Sequence, residues 1–327
     1  MTKKAPLPTA AAAVESDSER PVVALISAHI DMSFMRGPIA KAMPEADIRL
    51  WPKDDVTQAD VALCWRPPHD VLGEMKRLRL VHGIGAGVDN ILSLPDLPDV
   101  PVCRVVDPNH ARGIVEYASW ATLFFHRDFD VFQRNRLKRA WVQPRQRRAA
   151  NVTVGIMGWG NLGRAVGSAL KALGYTVRAW ARTAHEEEGI EFFAGDGERA
   201  AFLEGTNILI ALLPLTAGTN GILNADLFAG LPKGAAVVNI GRGELVNEPD
   251  LLASLDAGHL RGAVLDVFVQ EPLPEDNPLW VNPRVFVTPH IASMADPDVI
   301  ASQFVENIRR AFAGEAVINE VDRTRGY

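Results

Sequence analysis

Cysteine is almost absent: Cys64 and Cys103 are the only two in 327 residues. Each lies in a short apolar run, VALCW or VPVCRV, that reads as a buried strand. Two thiols do not complete a four-ligand zinc site, and no disulfide framework is expected. A reduced, cytoplasmic setting is expected instead. Long hydrophobic runs are missing too. Nothing approaches the roughly 18 uncharged apolar residues of a membrane-spanning helix, so no membrane partner is expected. Residues 1–20 carry two lysines and an alanine run but no Leu/Val-rich core of a signal peptide. They read as a disordered tail. An excess of positive charge is also lacking: 34 Lys and Arg stand against 40 Asp and Glu, a formal charge of −6. That argues against a generally basic nucleic-acid binder. Hydrophobic residues at 47% and charged residues at 23% exclude global disorder. At roughly 150 residues per domain the length suggests two domains, with room for a cleft between them.

Residues 21–110 carry the apolar runs PVVALIS, ADIRLW, VALCW, LRLVHGIG and VPVCRV, with helical candidates at 33–43 and 70–76. This alternation favours a parallel α/β sheet. The stretch 112–139 lacks proline and repeats apolar residues at helical spacing, from Ile114 through Phe125. It reads as one long helix bridging two domains. Beyond 151 the rhythm sharpens. Six strands are expected: Val152–Met157, Thr176–Trp180, Asn207–Leu212, Ala235–Ile240, Ala263–Phe268 and Val285–Val287. Asn247 as N-cap, Pro249 and Asp250 in the first turn and Gly258 as stop mark one helix between them. A last helix, about 297–313, starts after Asp296-Pro297, ends at Gly314 and is expected to return to the first domain. The fold class is therefore α/β, with two doubly wound parallel sheets of Rossmann-like and flavodoxin-like type. The expected partition is 21–111 plus 291–327 for the substrate domain and 112–290 for the dinucleotide domain.

Residues 152–163 read VTVGIMGWGNLG, in which Gly158, Gly160 and Gly163 form G-x-G-x-x-G. Alone that pattern is weak, and an ordinary glycine-rich turn is the plain alternative. Here an apolar strand precedes it and a helix follows, as a pyrophosphate loop requires. The helix N-terminus adds N–H donors and a favourable field. The loop residues Gly158, Trp159, Gly160, Asn161, Leu162 and Gly163 are thus cofactor-binding candidates. An NAD site places Asp or Glu about 20 residues further on, at the ribose 2′-hydroxyl. This chain has Ala181, Arg182 and Thr183 instead. With no carboxylate to repel a 2′-phosphate and a guanidinium to bind it, NADPH is expected as the preferred cofactor, with NADH possible. The plain alternative leaves Arg182 a solvated surface residue.

Three later segments each follow an apolar strand and each offer one reactive group: Arg242, Glu271 and His290. Ligands of such folds lie beyond the carboxyl ends of the strands. Reduction of an α-keto acid needs a guanidinium for the carboxylate and carbonyl. It needs an imidazolium as proton donor and a carboxylate to orient that imidazole. Any one of these alone is weak, and the other seven histidines read as structural. Upstream, the glycine-rich loop from His82 to Asp89 can expose N–H groups as an anion nest. Ile84, Gly85, Ala86 and Gly87 are candidates to hold the substrate carboxylate; a tight structural turn is the alternative.

These motifs resemble the D-isomer-specific 2-hydroxyacid dehydrogenase family. The resemblance rests on GAGVDNIL at 85–92, GIMGWGNLG at 155–163, LLPLT at 212–216, NIGRGELV at 239–246, LDVFVQEPLP at 265–274 and TPH at 288–290. It covers about residue 22 to the C-terminus. RPPHDVL at 66–72, WAR at 180–182, the run QEPLPEDNPLW and the terminal VDRTRGY resemble its bacterial glyoxylate/hydroxypyruvate reductase branch. The resemblance implies Arg242 for substrate binding, Glu271 as partner of the histidine and His290 for acid/base work. It implies Leu213, Pro214 and Thr216 near the pyrophosphate and Asp266 near the nicotinamide, with Ile240 and Gly241 also at the cofactor. It implies a homodimer in which Trp141, on an arm of the coenzyme domain, reaches the other subunit's site. Trp51 is a further candidate for the substrate pocket. One departure stands out: the branch often has Thr-Arg-Pro after the catalytic histidine, where this chain has Ala295-Asp296-Pro297.

Residues 134–148 hold seven positive charges and no acid. A solvated helix end and loop is the favoured reading over phosphate contacts, and electrostatic steering of anionic substrates lies between them. The leading function is NADPH-dependent reduction of small 2-keto acids such as glyoxylate and hydroxypyruvate. The alternatives are a dinucleotide-sensing regulator on the same scaffold, or a family dehydrogenase for another 2-hydroxy acid.

Overall fold

The structure, a computed structural model, describes residues 20–323. The expected tail up to residue 19 and the last four residues of the VDRTRGY motif lie outside the described residues. The first sheet holds β1 (Val22–Ile26), β2 (Asp47–Leu50), β3 (Val61–Cys64), β4 (Leu80–Gly83) and β5 (Val102–Cys103). All pairings are parallel, in the order β2-β1-β3-β4-β5. The five apolar runs of the sequence are these five strands. Helix α1 (Arg36–Ala42), preceded by a 3-10 turn, covers one face, and the short α2 (Asp89–Leu92) follows β4. No helix forms at 70–76, where the chain makes only turns. Pro67 and Pro68 stiffen the approach, and Asp70 sits in the left-handed region at φ 71°, which breaks helical propagation before it starts.

The expected bridging helix is two helices, α3 (Pro108–His126) and α4 (Phe129–Leu137). Asp128 breaks it by adopting φ 63°. The break sets Asp128 and the buried Asp130 around Arg261, whose Nη2 lies 2.6 Å from Asp128 Oδ1 and 2.5 Å from Asp130 Oδ1. A straight helix would turn successive residues about 100° apart and separate the two carboxylates. Helical periodicity persists on both sides of the break, so hydrophobic spacing alone does not reveal it.

The second sheet is built from β6 (Thr153–Met157), α5 (Asn161–Ala172), β7 (Thr176–Ala181), β8 (Glu191–Ala194), α6 (Arg199–Glu204), β9 (Ile208–Ala211), α7 (Ala225–Gly230), β10 (Ala236–Asn239), α8 (Glu248–Asp256), β11 (Gly262–Leu265) and β12 (Val285–Val287). Its order is β12-β11-β10-β9-β6-β7-β8, so the chain reverses direction between β6 and β9, where doubly wound sheets bind nucleotides. The six expected strands are present, and β8 is an addition. It is a four-residue edge strand between Gly189 and Gly195, paired only to β7 and partly exposed. That length is too short to show an alternation. The α8 signals hold: Asn247 accepts from the Asp250 N–H, and Gly258 has φ 65°.

The chain then returns. Helix α9 (Pro297–Ala313) is capped by Asp296 and ends at Gly314, φ 69°. It packs against α1 and β4. Its Ile300, Phe304 and Ile308 share one core with Leu25, Leu63 and Leu80 of the first sheet. Burying a Phe or Ile side chain contributes about 1.5–3 kcal/mol, so three such residues hold the returning helix firmly. No helix among the described residues is long and apolar enough to cross a membrane.

Candidate active site

At the end of β6, Gly158 takes φ 105° and its N–H donates to the Trp180 carbonyl. A Cβ at Gly163 would lie 2.0 Å from the Gly158 carbonyl oxygen, so only glycine lets α5 approach the strand this closely. Above Gly160 the space is open. The first N–H groups of α5 face that space, since the helix begins at Asn161. These features fit a dinucleotide pyrophosphate. Trp159 serves the loop differently from its neighbours. Its indole is buried over Gly167 and donates to Glu187, so only its backbone belongs to the open face. Leu162 also packs partly into the core.

At the end of β7, Ala181 is buried and Arg182 and Thr183 are exposed, with no carboxylate at either position. His185 stands between Arg164 Nη2 and Thr183 Oγ1, 3.4 Å from each. Arg164 and His185 were not singled out from the sequence, although Arg164 directly follows the glycine motif. After β9, the turn from Leu213 through Pro214 to Thr216 is held by Thr219, whose Oγ1 donates to the Pro214 carbonyl at 2.7 Å.

After β10, buried Asn239 ties the turn through Ile240 and Gly241. It accepts from the Gly241 N–H and donates to the Arg242 carbonyl. Arg242 then crosses to the first sheet. Its Nε and Nη2 both lie 2.9 Å from Asp89 Oδ1. A Cβ on Gly87 would fall 1.6 Å from Arg242 Nη2, so the GAGVD loop needs glycine where the guanidinium lies on it. Within that loop Gly85, Ala86 and Gly87 are half-exposed. Ile84 departs from the expectation of a free N–H: it donates to the Cys64 carbonyl. Its backbone still continues the β3–β4 pairing.

Asp266, at the end of β11, is 1% exposed. Its Oδ1 accepts from Thr288 Oγ1 at 2.6 Å and the Ile291 N–H at 2.8 Å, and Oδ2 accepts from the Ala292 N–H at 2.8 Å. Its carboxylate therefore faces the histidine loop it organises. Tyr117 on α3 extends the chain, 2.5 Å from Thr288 Oγ1. Burial pushes the Tyr117 phenol up, beyond the opposing hydrogen bond from Thr288, so it stays protonated. His290 sits on this loop at φ 56° with its N–H donated to the Asp266 carbonyl. A left-handed histidine costs of order 1–3 kcal/mol and persists only where its surroundings fix it.

His290 Nδ1 lies 2.9 Å from Glu271 Oε2. Glu271 Oε1 accepts from the Phe268 N–H at 2.9 Å. Burial alone raises the Glu271 carboxyl. The hydrogen bond and charge of His290, the Phe268 N–H and Arg66 outweigh burial and hold it below its ordinary value. With Nδ1 on the carboxylate, Nε2 is the ring nitrogen available to a partner outside the dyad.

The first sheet supplies two further residues, Trp65 and Arg66, the latter opening the RPPHDVL motif. Trp65 packs edge-on against His290, ring centroids 5.4 Å apart. Arg66 Nη2 lies 3.3 Å from Glu271 Oε2. Both follow β3 directly, and the strand-end rule used for the second sheet also points to them. Trp51 follows β2, next to the β1 side of the sheet, and packs against the core around Ala24, Ile26 and Leu72. Trp141 is 98% exposed on the segment after α4. His110, near the start of α3, stands within electrostatic reach of Arg242 and His290. Burial pushes it below its ordinary value, Asp107 opposes, and Arg242 and His290 add to the lowering. Asp296, the anion in the departing motif, caps α9 by accepting from the Asp298 N–H. Among the described residues no group of three His, Cys, Asp or Glu is placed to hold a metal.

A glycine-rich βαβ loop and a His–Glu pair, set at the strand ends of one doubly wound sheet and met there by side chains of a second, define a class: the NAD(P)-dependent oxidoreductases. Comparison with known proteins narrows it. The model of the D-isomer specific 2-hydroxyacid dehydrogenase NAD-binding domain matches residues 120–292. The chain is 43% identical over 303 residues to glyoxylate/hydroxypyruvate reductase A of Klebsiella pneumoniae strain 342, covering 91% of this chain and 97% of that one. To the protein of the same name from Serratia proteamaculans strain 568 it is 42% identical over 295 residues, covering 88% and 94%. Among solved structures it is similar to a D-isomer specific 2-hydroxyacid dehydrogenase of Xanthobacter autotrophicus Py2 in complex with NADPH and MES. That similarity has a TM-score of 0.83 at 40% identity, covering 94% of this chain and all of the other (100%). A Sinorhizobium meliloti NADPH-dependent glyoxylate/hydroxypyruvate reductase in complex with NADP and sulfate gives 0.84 at 35% identity, covering 94% and 100%. The chain belongs to the D-isomer specific 2-hydroxyacid dehydrogenase family.

Proposed function

We infer that the protein reduces small 2-keto acids of the glyoxylate and hydroxypyruvate type to D-2-hydroxy acids, with NADPH preferred over NADH. The observation that carries this is the His290–Glu271 contact at 2.9 Å, set beside Arg242 in a chain whose β7 ends without a carboxylate. When bound, the dinucleotide supplies the hydride for the carbonyl carbon. Arg242 holds the substrate carboxylate and polarises the carbonyl, and the N–H groups of Gly85, Ala86 and Gly87 share that carboxylate. A substrate carboxylate on Arg242 takes the place of Asp89, its present partner. His290 Nε2 gives its proton to the carbonyl oxygen. Glu271 holds the ring on Nδ1 and favours the imidazolium that donates. Asp266 keeps the His290 loop in shape.

Gly158, Gly160 and the start of α5 take the pyrophosphate, with Thr216 and its neighbours closing the far side. Arg182 and Thr183 take the 2′-phosphate. The substrate domain comprises 21–111 plus 291–327 and the coenzyme domain 112–290; the packing of α9 on α1 supports that partition. We assign a homodimer whose arm carries Trp141, in keeping with the exposure of that side chain, and a cytoplasmic location.

The test is a set of initial rates with NADPH and with NADH against glyoxylate, hydroxypyruvate, pyruvate and phenylpyruvate. Glyoxylate or hydroxypyruvate with NADPH is expected to be the best pair. Equal efficiency with both coenzymes would remove the NADPH preference. No turnover of any 2-keto acid would favour a dinucleotide-sensing regulator.

A further inference from the structure

Two consecutive residues of the first sheet address the two members of the dyad on the second. Trp65 meets the imidazole of His290, and Arg66 meets the carboxylate of Glu271 at the same Oε2 that faces His290 Nδ1. Arg66 is not a loose surface side chain. Its backbone sits at φ 45°, its N–H donates to Asn90 Oδ1 at 3.1 Å, its carbonyl accepts from the Ala28 N–H, and Pro67 and Pro68 follow. Its Nε is buried without a hydrogen-bond partner. The pair is 20% and 15% exposed at the side chains, so solvent screens it only in part.

We propose that Arg66 is a positioning residue of the reaction: it pins the Glu271 carboxylate against His290 from the opposite domain, so the dyad is complete only when the two sheets are together. This rests on the reading of Glu271 and His290 as the proton-donating pair. The charges around the pair are few. Glu271 faces Arg66, His290 and the Phe268 N–H. His290 faces Glu271 and the Trp65 ring edge, lies within reach of His110 and Arg242, and bonds the Asp266 carbonyl through its backbone. Asp89 offsets Arg242, and Asp107 opposes the shift of His110. Among the described residues outside the dyad, Arg66 is thus the cation that acts on it through Glu271 itself. A neighbouring cation favours an ionised carboxylate and disfavours an imidazolium. Its removal therefore moves both the acid and the alkaline limb of the reaction to higher pH.

The experiment is the pH profile of kcat/KM for NADPH-dependent keto-acid reduction in wild type, Arg66→Gln and Arg66→Lys. Arg66→Gln is expected to lower kcat/KM and to shift both limbs alkaline by about 0.5–1 pH unit. Arg66→Lys, which keeps the charge, brings the limbs back most of the way. A slower Arg66→Gln enzyme with unmoved limbs would reduce Arg66 to a structural prop. Unmoved limbs with a raised keto-acid KM would make it a substrate contact; either result overturns the proposal. If Arg66→Gln does not fold, Asn90→Ala releases the Arg66 backbone and leaves its guanidinium, and a smaller alkaline shift is expected; unmoved limbs there overturn the proposal as well. If wild type reduces no keto acid, the reading of the function fails, yet this inference is still read by NMR. The His290 ring resonances of the NADPH-loaded protein, assigned with His290→Gln, then titrate at higher pH in Arg66→Gln, and an unchanged midpoint overturns the proposal.

Discussion

Glu271 shows how one side chain is set by its surroundings. Burial alone disfavours its charge, but His290, the Phe268 N–H and Arg66 more than compensate. A carboxyl whose folded-state value is depressed adds stability that is fully present above its unfolded value, 4.5 in the absence of these neighbours. That stability fades as pH falls through the folded value. The urea midpoint of wild type is therefore expected to exceed that of Glu271→Gln by a constant margin at neutral pH. The margin shrinks as pH drops below about 4. A margin that stays flat from neutral to acid pH would show that these contacts do not favour the ionised form.

Among the elements, the break between α3 and α4 has a definite electrostatic cause. Arg261 holds Asp128 and Asp130 together, and Arg134 shares Asp130. Removing one partner of a buried ion pair costs roughly 3–5 kcal/mol. Residual exposure and the help of Arg134 place Arg261→Ala at the lower end, about 3 kcal/mol. Urea denaturation monitored at the tryptophans checks this, and a loss under about 1 kcal/mol, as for an exposed pair, would contradict it. The break was not legible in the sequence because the α3 and α4 residues keep the same 3.6-residue rhythm on either side of Asp128. The strand β8 escaped for a different reason: an edge strand of four residues carries no alternation. By contrast, α8 and α9 were legible to the residue at their caps, since Asn247, Asp296 and Gly314 act locally.

At the scale of the whole molecule, the site forms where the strand ends of two sheets meet. The second sheet's contribution was readable, because Arg242, Glu271 and His290 each follow an obvious strand. The first sheet's share was readable only at its glycine-rich loop, which Arg242 meets at Gly87 and Asp89. Trp65 and Arg66 follow β3 in the same way, but their partners lie 225 and 205 residues further along the chain. No local pattern joins residues so distant; only the return of α9 and the crossing at α3 bring the two ends together. Trp51 follows β2 at the same carboxyl edge of this parallel sheet, and its partly buried side chain packs against the first domain's core. The central claim is that His290 donates the proton in a keto-acid reduction. It is tested most directly by the rate of glyoxylate-dependent NADPH oxidation in His290→Ala, at saturating coenzyme. The account predicts a loss of roughly 10²–10⁴-fold in kcat/KM with NADPH still bound, and a variant within a few-fold of wild type would contradict it.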